Sequence, residues 1–343
     1  IDVAYTNLVW EDQFETPGVV NPSNWHHQTQ VIIPGVGWAN GEEQHYTNRI
    51  DNSFVDTSGF LNIVAKQETY TDQGLTKNYT SARLNAKFAF TYGRVDVRAK
   101  IPVEAGTWPA IWTLGKNINE PGAYWDSQYG TTSWPACGEI DMMEHGIFPN
   151  QNINYIKSSL HTPCCYAGNP NGGGTIASDL ENDFHVYSLN WSPDQITFLL
   201  DGVGYFTYNP SIKDDSTWPF YEDQFVLLNI AMGGYAGNTS SDFDQATMLI
   251  DYVKIYQEGE LNTVANIDLE DKVSVYPNPA SNVINLSASI PLSSIKIYDI
   301  FGKLLLTKEK NFTNIDVKAY TSGMYLLVIT SNNQEIIKKV LIN

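Results

Sequence analysis

Gly138-Glu139-Ile140-Asp141-Met142-Met143-Glu144-His145 sets three carboxylates within six residues of otherwise apolar chain. Strand side chains alternate between faces, so Glu139 and Asp141 point the same way while Glu144, an odd number of residues from both, points to the other. One inserted residue repairs that parity. A β-bulge at Met142-Met143 returns Glu144 to the face of Glu139 and Asp141, and bulges occur beside active sites because they re-aim a side chain. The stretch therefore reads as a bulged strand bearing a row of acids.

At roughly 3.3 Å per residue, such a row leaves the Glu139 and Glu144 carboxyls about 5 to 7 Å apart. A retaining glycosidase needs its nucleophile and acid/base about 5 to 5.5 Å apart, and an inverting one needs a wider gap. Asp141 between them supplies close negative charge, which raises the pKa of a neighbour and keeps an acid protonated near neutral pH. A solvated acidic strand is the bland alternative, but Ile140, Met142 and Met143 fill the gaps, so neither face is freely wet. A calcium site would call for Asn, Gly and carbonyl donors in a loop.

Outward from this strand the period stays at two. Val95 to Ile101, Tyr187 to Trp191 and Ile250 to Tyr256 alternate apolar and polar residues, and Asp201-Gly202 between Gln195 to Leu200 and Val203 to Tyr208 is a hairpin signal. Many short strands with Gly, Pro and Asn turns predict an all-β sandwich or jelly roll. The 343 residues suffice for one large domain and a small one. All nine tryptophans precede residue 219. Residues 258 to 343 hold nine acids and eight lysines, net −1, leaving −17 of the formal −18 to residues 1 to 257. That acidity argues against nucleic acid or an anionic membrane as partner and suits a neutral polymer.

Glu-x-Asp-x-x-Glu within Trp134 to His145 resembles the signature of glycoside hydrolase family 16 in the bulged form used by laminarinases. Thr107-Trp108-Pro109-Ala110-Ile111-Trp112-Thr113-Leu114-Gly115 is similar to the strand those enzymes place before the catalytic one. Gly37 to Thr47 is similar to their substrate loop, and Thr80-Ser81-Ala82-Arg83-Leu84 to their arginine-bearing strand. The resemblance spans roughly residues 5 to 257. It implies a concanavalin-like β-jelly-roll with an open cleft and a retaining mechanism with Glu139 as nucleophile, Asp141 as its modulator and Glu144 as acid/base. No cofactor is expected for the chemistry. The resemblance further implies a sugar platform of Trp108, Trp112 and Trp134, whose indoles offer apolar faces and an N–H donor. Asn40 and Arg83 fall in segments similar to substrate-contacting ones, although an ion pair is the ordinary role of an arginine. His161, on the segment similar to the strand beside the catalytic one, is placed to donate to a carboxylate or a sugar hydroxyl. In laminarinases a structural calcium ion lies on the convex side, and Glu11, Gly59 and Asp251 match its positions.

The loop from Gly115 through Ser133 is longer than in compact laminarinases. It is read either as a wall at one end of the cleft, with Tyr124, Trp125 and Tyr129 as extra sugar contacts, or as surface decoration. Cys137, Cys164 and Cys165 define no disulfide framework; a Cys137 bond to one of the pair and free thiols both stay open.

Residues 258 to 271 have the composition of a linker, and the remainder changes character. Tyr276-Pro277-Asn278-Pro279, Asp299-Ile300-Phe301-Gly302-Lys303 and Gly323-Met324-Tyr325 recur in the order found in the C-terminal sorting domain of type IX secretion, which residues 272 to 343 resemble. A small carbohydrate-binding β-sandwich is the alternative for this piece, but it has no tryptophan to stack on sugar. Ile1-Asp2-Val3-Ala4 shows no basic start or apolar stretch, so the numbering is expected to begin at the mature end. No apolar run approaches the roughly 20 residues that span a bilayer. The expectation is a monomeric, secreted or surface-held endo-β-1,3-glucanase, exported through the periplasm by the type IX machinery, acting on laminarin-type β-glucan and on mixed β-1,3-1,4-glucan. Agarase- or carrageenase-type galactanases share the bulged signature. A non-catalytic glucan-binding protein on the same scaffold is the reading from another class, and it typically lacks one of the three carboxylates retained here.

Overall fold

The computed structural model describes residues 1–146, 152–259, 272–300, 302–331 and 334–343. Its chain divides into two compact units, Ile1–Glu258 and Gly259–Asn343. The expected linker, residues 258 to 271, lies almost wholly outside the described residues.

The first unit is the expected all-β jelly roll. Its seven-stranded sheet runs, in spatial order, Asn171–Ile176, Tyr155–His161, Glu139–Glu144, Thr107–Gly115, Gln224–Met232, Arg83–Phe90 and Trp25–His27, all antiparallel. The facing sheet has ten strands, with Gly93–Lys100 and Gln245–Gln257 at its centre. The alternating segments read from the sequence lie on Gly93–Lys100, His185–Trp191 and Gln245–Gln257. Asp201 and Gly202, with φ of 50° and 80°, form the turn between Ile196–Leu200 and Val203–Tyr208, as a primed hairpin turn requires.

Between the sheets lies one apolar core. Ile140, Met142 and Met143 of the acidic strand enter it beside Ile111, Leu160, Leu228 and Ile230 of the neighbouring strands. Trp25, Trp191 and Trp218 are buried in the same core; large side chains contribute about 1.5 to 3 kcal/mol each on full burial. These anchors hold the acidic strand rigidly at mid-sheet.

A smaller apolar cluster lies apart from that core. Leu114, Phe225 and Leu227 of the seven-stranded sheet pack against Ile118 and Ala123 of the Gly115 to Ser133 segment, with Cys137 and the partly buried Trp112 and Trp125. Leu114 and Leu227 are register partners of Glu139 and Trp112 respectively, so they share the face that carries the acids. The long segment is thus folded over part of that face. It includes a single helical turn, Asp126–Tyr129, and is tied down by Tyr124 N–H to Asn85 Oδ1 at 3.1 Å and His26 Nε2 to the Gly122 carbonyl at 2.9 Å.

The second unit has a three-stranded sheet of Val273–Tyr276, Val283–Ala288 and Asn314–Asp316. A four-stranded sheet is ordered Leu304–Lys308, Ser294–Asp299, Gly323–Ser331 and Gln334–Ile342. Its own core gathers Ile284, Ile295, Ile297, Leu327, Ile329 and Val340.

Candidate active site

Gly138, with φ of +76°, makes the sharp entry into the acidic strand, a conformation that disfavours any residue with a Cβ. On the strand Glu139 pairs with Leu114 and Asp141 with Trp112, but the next residue in register with the same neighbour is Met143, opposite Ile111. Met142 is the extra residue. On the other side the register jumps from Asp141 opposite Ser159 to Glu144 opposite Lys157. The bulge lies where the parity of the three acids demanded it, and it turns Glu144 onto the face of Glu139 and Asp141.

Each glutamate receives an indole N–H. Trp134 Nε1 donates to Glu139 Oε2 at 3.0 Å, and Trp108 Nε1 donates to Glu144 Oε1 at 3.1 Å. Ser159 Oγ donates to Glu144 Oε2 at 3.2 Å. His161 Nδ1 accepts the Ala167 N–H at 3.1 Å, which assigns the ring proton to Nε2. That Nε2 stands 3.2 Å from Asp141 Oδ2 and 3.5 Å from Glu139 Oε1. The approach to Asp141 lacks the alignment of a hydrogen bond, so Oδ2, buried in the floor, has no donor.

Burial pushes Glu139 well above the usual carboxylate range; the Asp141 charge adds to this and His161 opposes it. Asp141 is also pushed well up, first by burial and then by Glu144. Two acids this close share a proton rather than both ionising. Glu139 has an indole N–H to stabilise its charge and Asp141 Oδ2 has none, which favours the charge on Glu139.

The remaining candidate residues are arranged around this centre. Trp112 lies in register with Asp141 and donates to Asn229 Oδ1 at 2.8 Å. Asn229 in turn donates to the Tyr46 hydroxyl at 3.0 Å, and Tyr46 donates to Glu42 at 3.2 Å. Arg83 is buried with its guanidinium 4.9 Å from the Trp112 ring and 5.2 Å from the Trp38 ring. Arg83 Nη2 pairs with Glu120 Oε1 at 2.6 Å. Its ion pair is therefore made with the wall segment, and Nε, without a partner, is left for another acceptor. Asn40 is exposed, at φ of 58°, on the short helical turn Ala39–Gly41. That turn contacts the segment Gly234–Ala236, whose Tyr235 ring lies 5.4 Å from Trp108. Trp134 is 39% exposed and also meets His161 and Tyr166, leaving ring surface for a ligand.

Glu120, Asn229, Ser159 and Tyr235 belong to the site but were not singled out in the sequence. Glu120 falls in the long loop, where an acid before Pro121 carries no local signal. Asn229 and Ser159 are on strands whose cleft-facing parity could have marked them. His145 is buried away from the acids, with Nε2 on the Ile153 carbonyl at 2.8 Å, and burial lowers its pKa. The three cysteines are free thiols; Cys137 is buried and Cys164 exposed.

The calcium candidates occupy the other side of the unit. Asp251 sits at a register shift between Ile250 and Tyr252, and its carboxylate is held by Arg98 Nη1 at 2.6 Å. Glu11 accepts from Gln13 Nε2 at 2.8 Å and lies 3.9 Å from Lys254 Nζ. Gly59 is in a turn next to the Phe14 carbonyl. Both carboxylates are thus already beside a cationic side chain, and as they stand the side chains do not form a ready calcium cage.

Comparison with known proteins agrees with this geometry. The family model described as glycosyl hydrolases family 16 matches residues 41–254, and one described as a secretion system C-terminal sorting domain matches residues 274–343. A β-glucanase of Rhodothermus marinus is 36% identical over 263 residues, covering 73% of this chain and 85% of that protein. Glucan endo-1,3-β-glucosidase A1 of Niallia circulans is 34% identical, covering 75% of this chain and 38% of that larger protein. Among solved structures, a LamA variant of Zobellia galactanivorans in complex with laminaritriose and laminaritetraose is 44% identical. It superposes with a TM-score of 0.67, covering 74% of this chain and 100% of that one.

Proposed function

We propose, from the premise that this chain belongs to glycosyl hydrolases family 16, that it is a retaining endo-β-1,3-glucanase acting on laminarin-type glucan and also on mixed β-1,3-1,4-glucan. Its C-terminal sorting domain directs it out of the cell, to the surface or the medium, by the type IX route. Among the described residues no helix is long and apolar enough to cross a membrane. The enzyme is taken to act as a monomer, with residues 1–257 as the catalytic domain and 272–343 as the sorting domain.

One observation carries the catalytic reading: the bulge that aligns Glu139, Asp141 and Glu144 on one face, each glutamate fixed by an indole N–H. In the first step the Glu139 carboxylate attacks the anomeric carbon while Glu144 gives a proton to the leaving oxygen. Asp141, sharing a proton with Glu139, lowers the charge the nucleophile must carry. Trp134 N–H and His161 Nε2–H stabilise that charge before attack and when the ester to the sugar breaks. Glu144 then takes a proton from water, which attacks the glycosyl-enzyme and releases a product of unchanged anomeric configuration. Trp112 and Trp134 are suited to stack on pyranose faces. Arg83, with Nε unpaired, and Asn40 at the rim are suited to sugar hydroxyls.

Names of relatives support β-1,3-glucan as substrate, and retention of all three carboxylates argues against a purely binding role. Incubation with laminarin, lichenan and agarose, read by thin-layer chromatography of the products, tests the assignment. A ladder of oligosaccharides from laminarin is expected; cleavage of agarose alone would overturn it. The calcium proposed at Glu11, Gly59 and Asp251 would have a structural role and would require Asp251 to exchange Arg98 for the ion. A melting temperature unchanged by chelator and by added calcium would remove it.

A further inference from the structure

Cys164 and Cys165 follow closely on the strand Tyr155–His161, in a turn that the catalytic chemistry does not use. Thr162 closes that turn: its N–H donates to the Cys165 carbonyl at 3.0 Å, and its carbonyl accepts the Cys165 N–H at 2.9 Å. Cys164 N–H donates to the Ser216 carbonyl at 2.9 Å. With the backbone held on both sides, the two side chains converge. The thiols hydrogen-bond to each other, the Asn171 side chain reaches Cys165, and Thr162 Oγ1 lies 3.3 Å from Cys164 Sγ. Cys164 is exposed and Cys165 half-buried, whereas Cys137 is fully buried in the apolar cluster with Leu114 and Phe225. The adjacent pair is therefore the one open to reagents in solvent.

The turn is coupled to the nucleophile through the next two residues. Tyr166 sets its ring edge-on to Trp134, with centroids 5.4 Å apart, and Trp134 donates to Glu139. Ala167 N–H donates to His161 Nδ1 at 3.1 Å, which fixes the ring whose Nε2 faces Asp141 and Glu139. Ala167 holds a φ of 53°, a backbone state costly for a residue with a Cβ, so the segment keeps this shape only while its bonds hold it. Trp134 and His161 thus both take support from the two residues after Cys165.

Adjacent Cα atoms lie about 3.8 Å apart across a trans peptide, short of the roughly 4.4 to 6.8 Å that an ordinary disulfide spans. Joining these two sulfurs therefore twists the backbone inside the turn, and a bond strained in this way is readily reduced again. The Cys165 thiol is held above its ordinary range, first by its hydrogen bond with Cys164 and then by burial, which leaves the more exposed Cys164 to attack first.

We propose that Cys164 and Cys165 form a reversible oxidation site: a small-molecule disulfide joins them, and the twist draws Tyr166 and Ala167 away from Trp134 and His161 and slows the enzyme. The Cys164 thiolate attacks one sulfur of the reagent and releases one thiol; the Cys165 thiolate then attacks Cys164 Sγ in the mixed disulfide and releases the second. Two electrons pass from the cysteine pair to the reagent, and the two cysteine protons end on the released thiols. Outside the cell, where the sorting domain directs the chain, such bonds form and persist.

The full-length enzyme, first reduced, is incubated with oxidised glutathione and assayed on laminarin once the reagent is removed. The product should have lost two hydrogens by mass, keep one thiol that titrates only on unfolding, and give a peptide carrying a Cys164–Cys165 bond. Its kcat/KM should be about ten-fold lower, as for loss of a donor to a charged group, and a dithiol reductant should restore mass and rate together. Replacing the pair, Cys164→Ser with Cys165→Ser, should keep the rate of the reduced enzyme and abolish the response. Tryptophan emission should change on oxidation and cease to do so in Trp134→Phe, which reads the coupling without substrate. Unmodified thiols, or a glutathione adduct in place of the lost hydrogens, would overturn the site. A closed bond with a rate within two-fold of the reduced enzyme would overturn its coupling to the nucleophile. The coupling to rate rests on the glucanase reading, but mass and emission do not, so a reduced enzyme inactive on laminarin would count against that reading alone.

Discussion

Replacing Trp134 by Phe keeps a ring against His161 and Tyr166 and removes a single atom of consequence, the Nε1–H that donates to Glu139 Oε2 at 3.0 Å. A hydrogen bond to a charged group contributes about 1.5 to 3 kcal/mol. Trp134 is 39% exposed, so solvent screening sets the lower end, about 1.5 kcal/mol. That corresponds to about a ten-fold loss in kcat/KM at neutral pH. The sign for pH follows from which form the bond favours. Burial and Asp141 already raise Glu139, and the indole N–H stabilises its ionised form; without it the pKa rises further, and the ionised nucleophile is lost at a higher pH. The acid limb of the kcat/KM profile should therefore move up by about one unit, while the alkaline limb stays in place. Initial rates of reducing-sugar release from laminarin across pH 4 to 9 measure both. An acid limb that does not move, with activity within two-fold of the unsubstituted enzyme, would refute the idea that Trp134 tunes the nucleophile.

Glu139→Ser should abolish turnover without altering the fold or oligosaccharide binding, and external azide should restore turnover and yield a glycosyl azide; near-native activity of the variant would reassign the nucleophile. Glu120→Gln removes one partner of a buried ion pair, a loss of about 3 kcal/mol, expected to lower the melting temperature by about 6 to 12 °C; a shift under 2 °C would mean the wall segment is not held by Arg83. Removing residues 258–343 should leave soluble activity on laminarin intact, because the catalytic unit has its own core, and inactivation on truncation would show that the units depend on each other.

The acidic strand was legible because two faces and one odd spacing leave few solutions: a bulge at Met142-Met143 is what the positions of Glu139, Asp141 and Glu144 require, and the register contains it. The hairpin at Asp201-Gly202 was legible for the same reason, since its turn chemistry is local. The wall segment was not. Ile118 and Ala123 look like ordinary loop residues, and their burial comes from Phe225 and Leu227, about a hundred residues away. Arg83 was found as a candidate, yet its ion pair with Glu120 joins a strand to that loop and has no local signature. The run Gly172-Gly173-Gly174 signals a close approach of something, and only the fold shows that it is Ser158, Phe206 and Tyr155.

The central claim is that the bulge brings Glu144 close enough to Glu139 for direct attack on the anomeric carbon. Proton NMR of the reducing end, followed from the first minutes of laminarin hydrolysis, tests it before mutarotation mixes the anomers. The β anomer should appear first. Initial appearance of the α anomer would mean inversion, with a water between the sugar and the base, and would contradict the account of this strand.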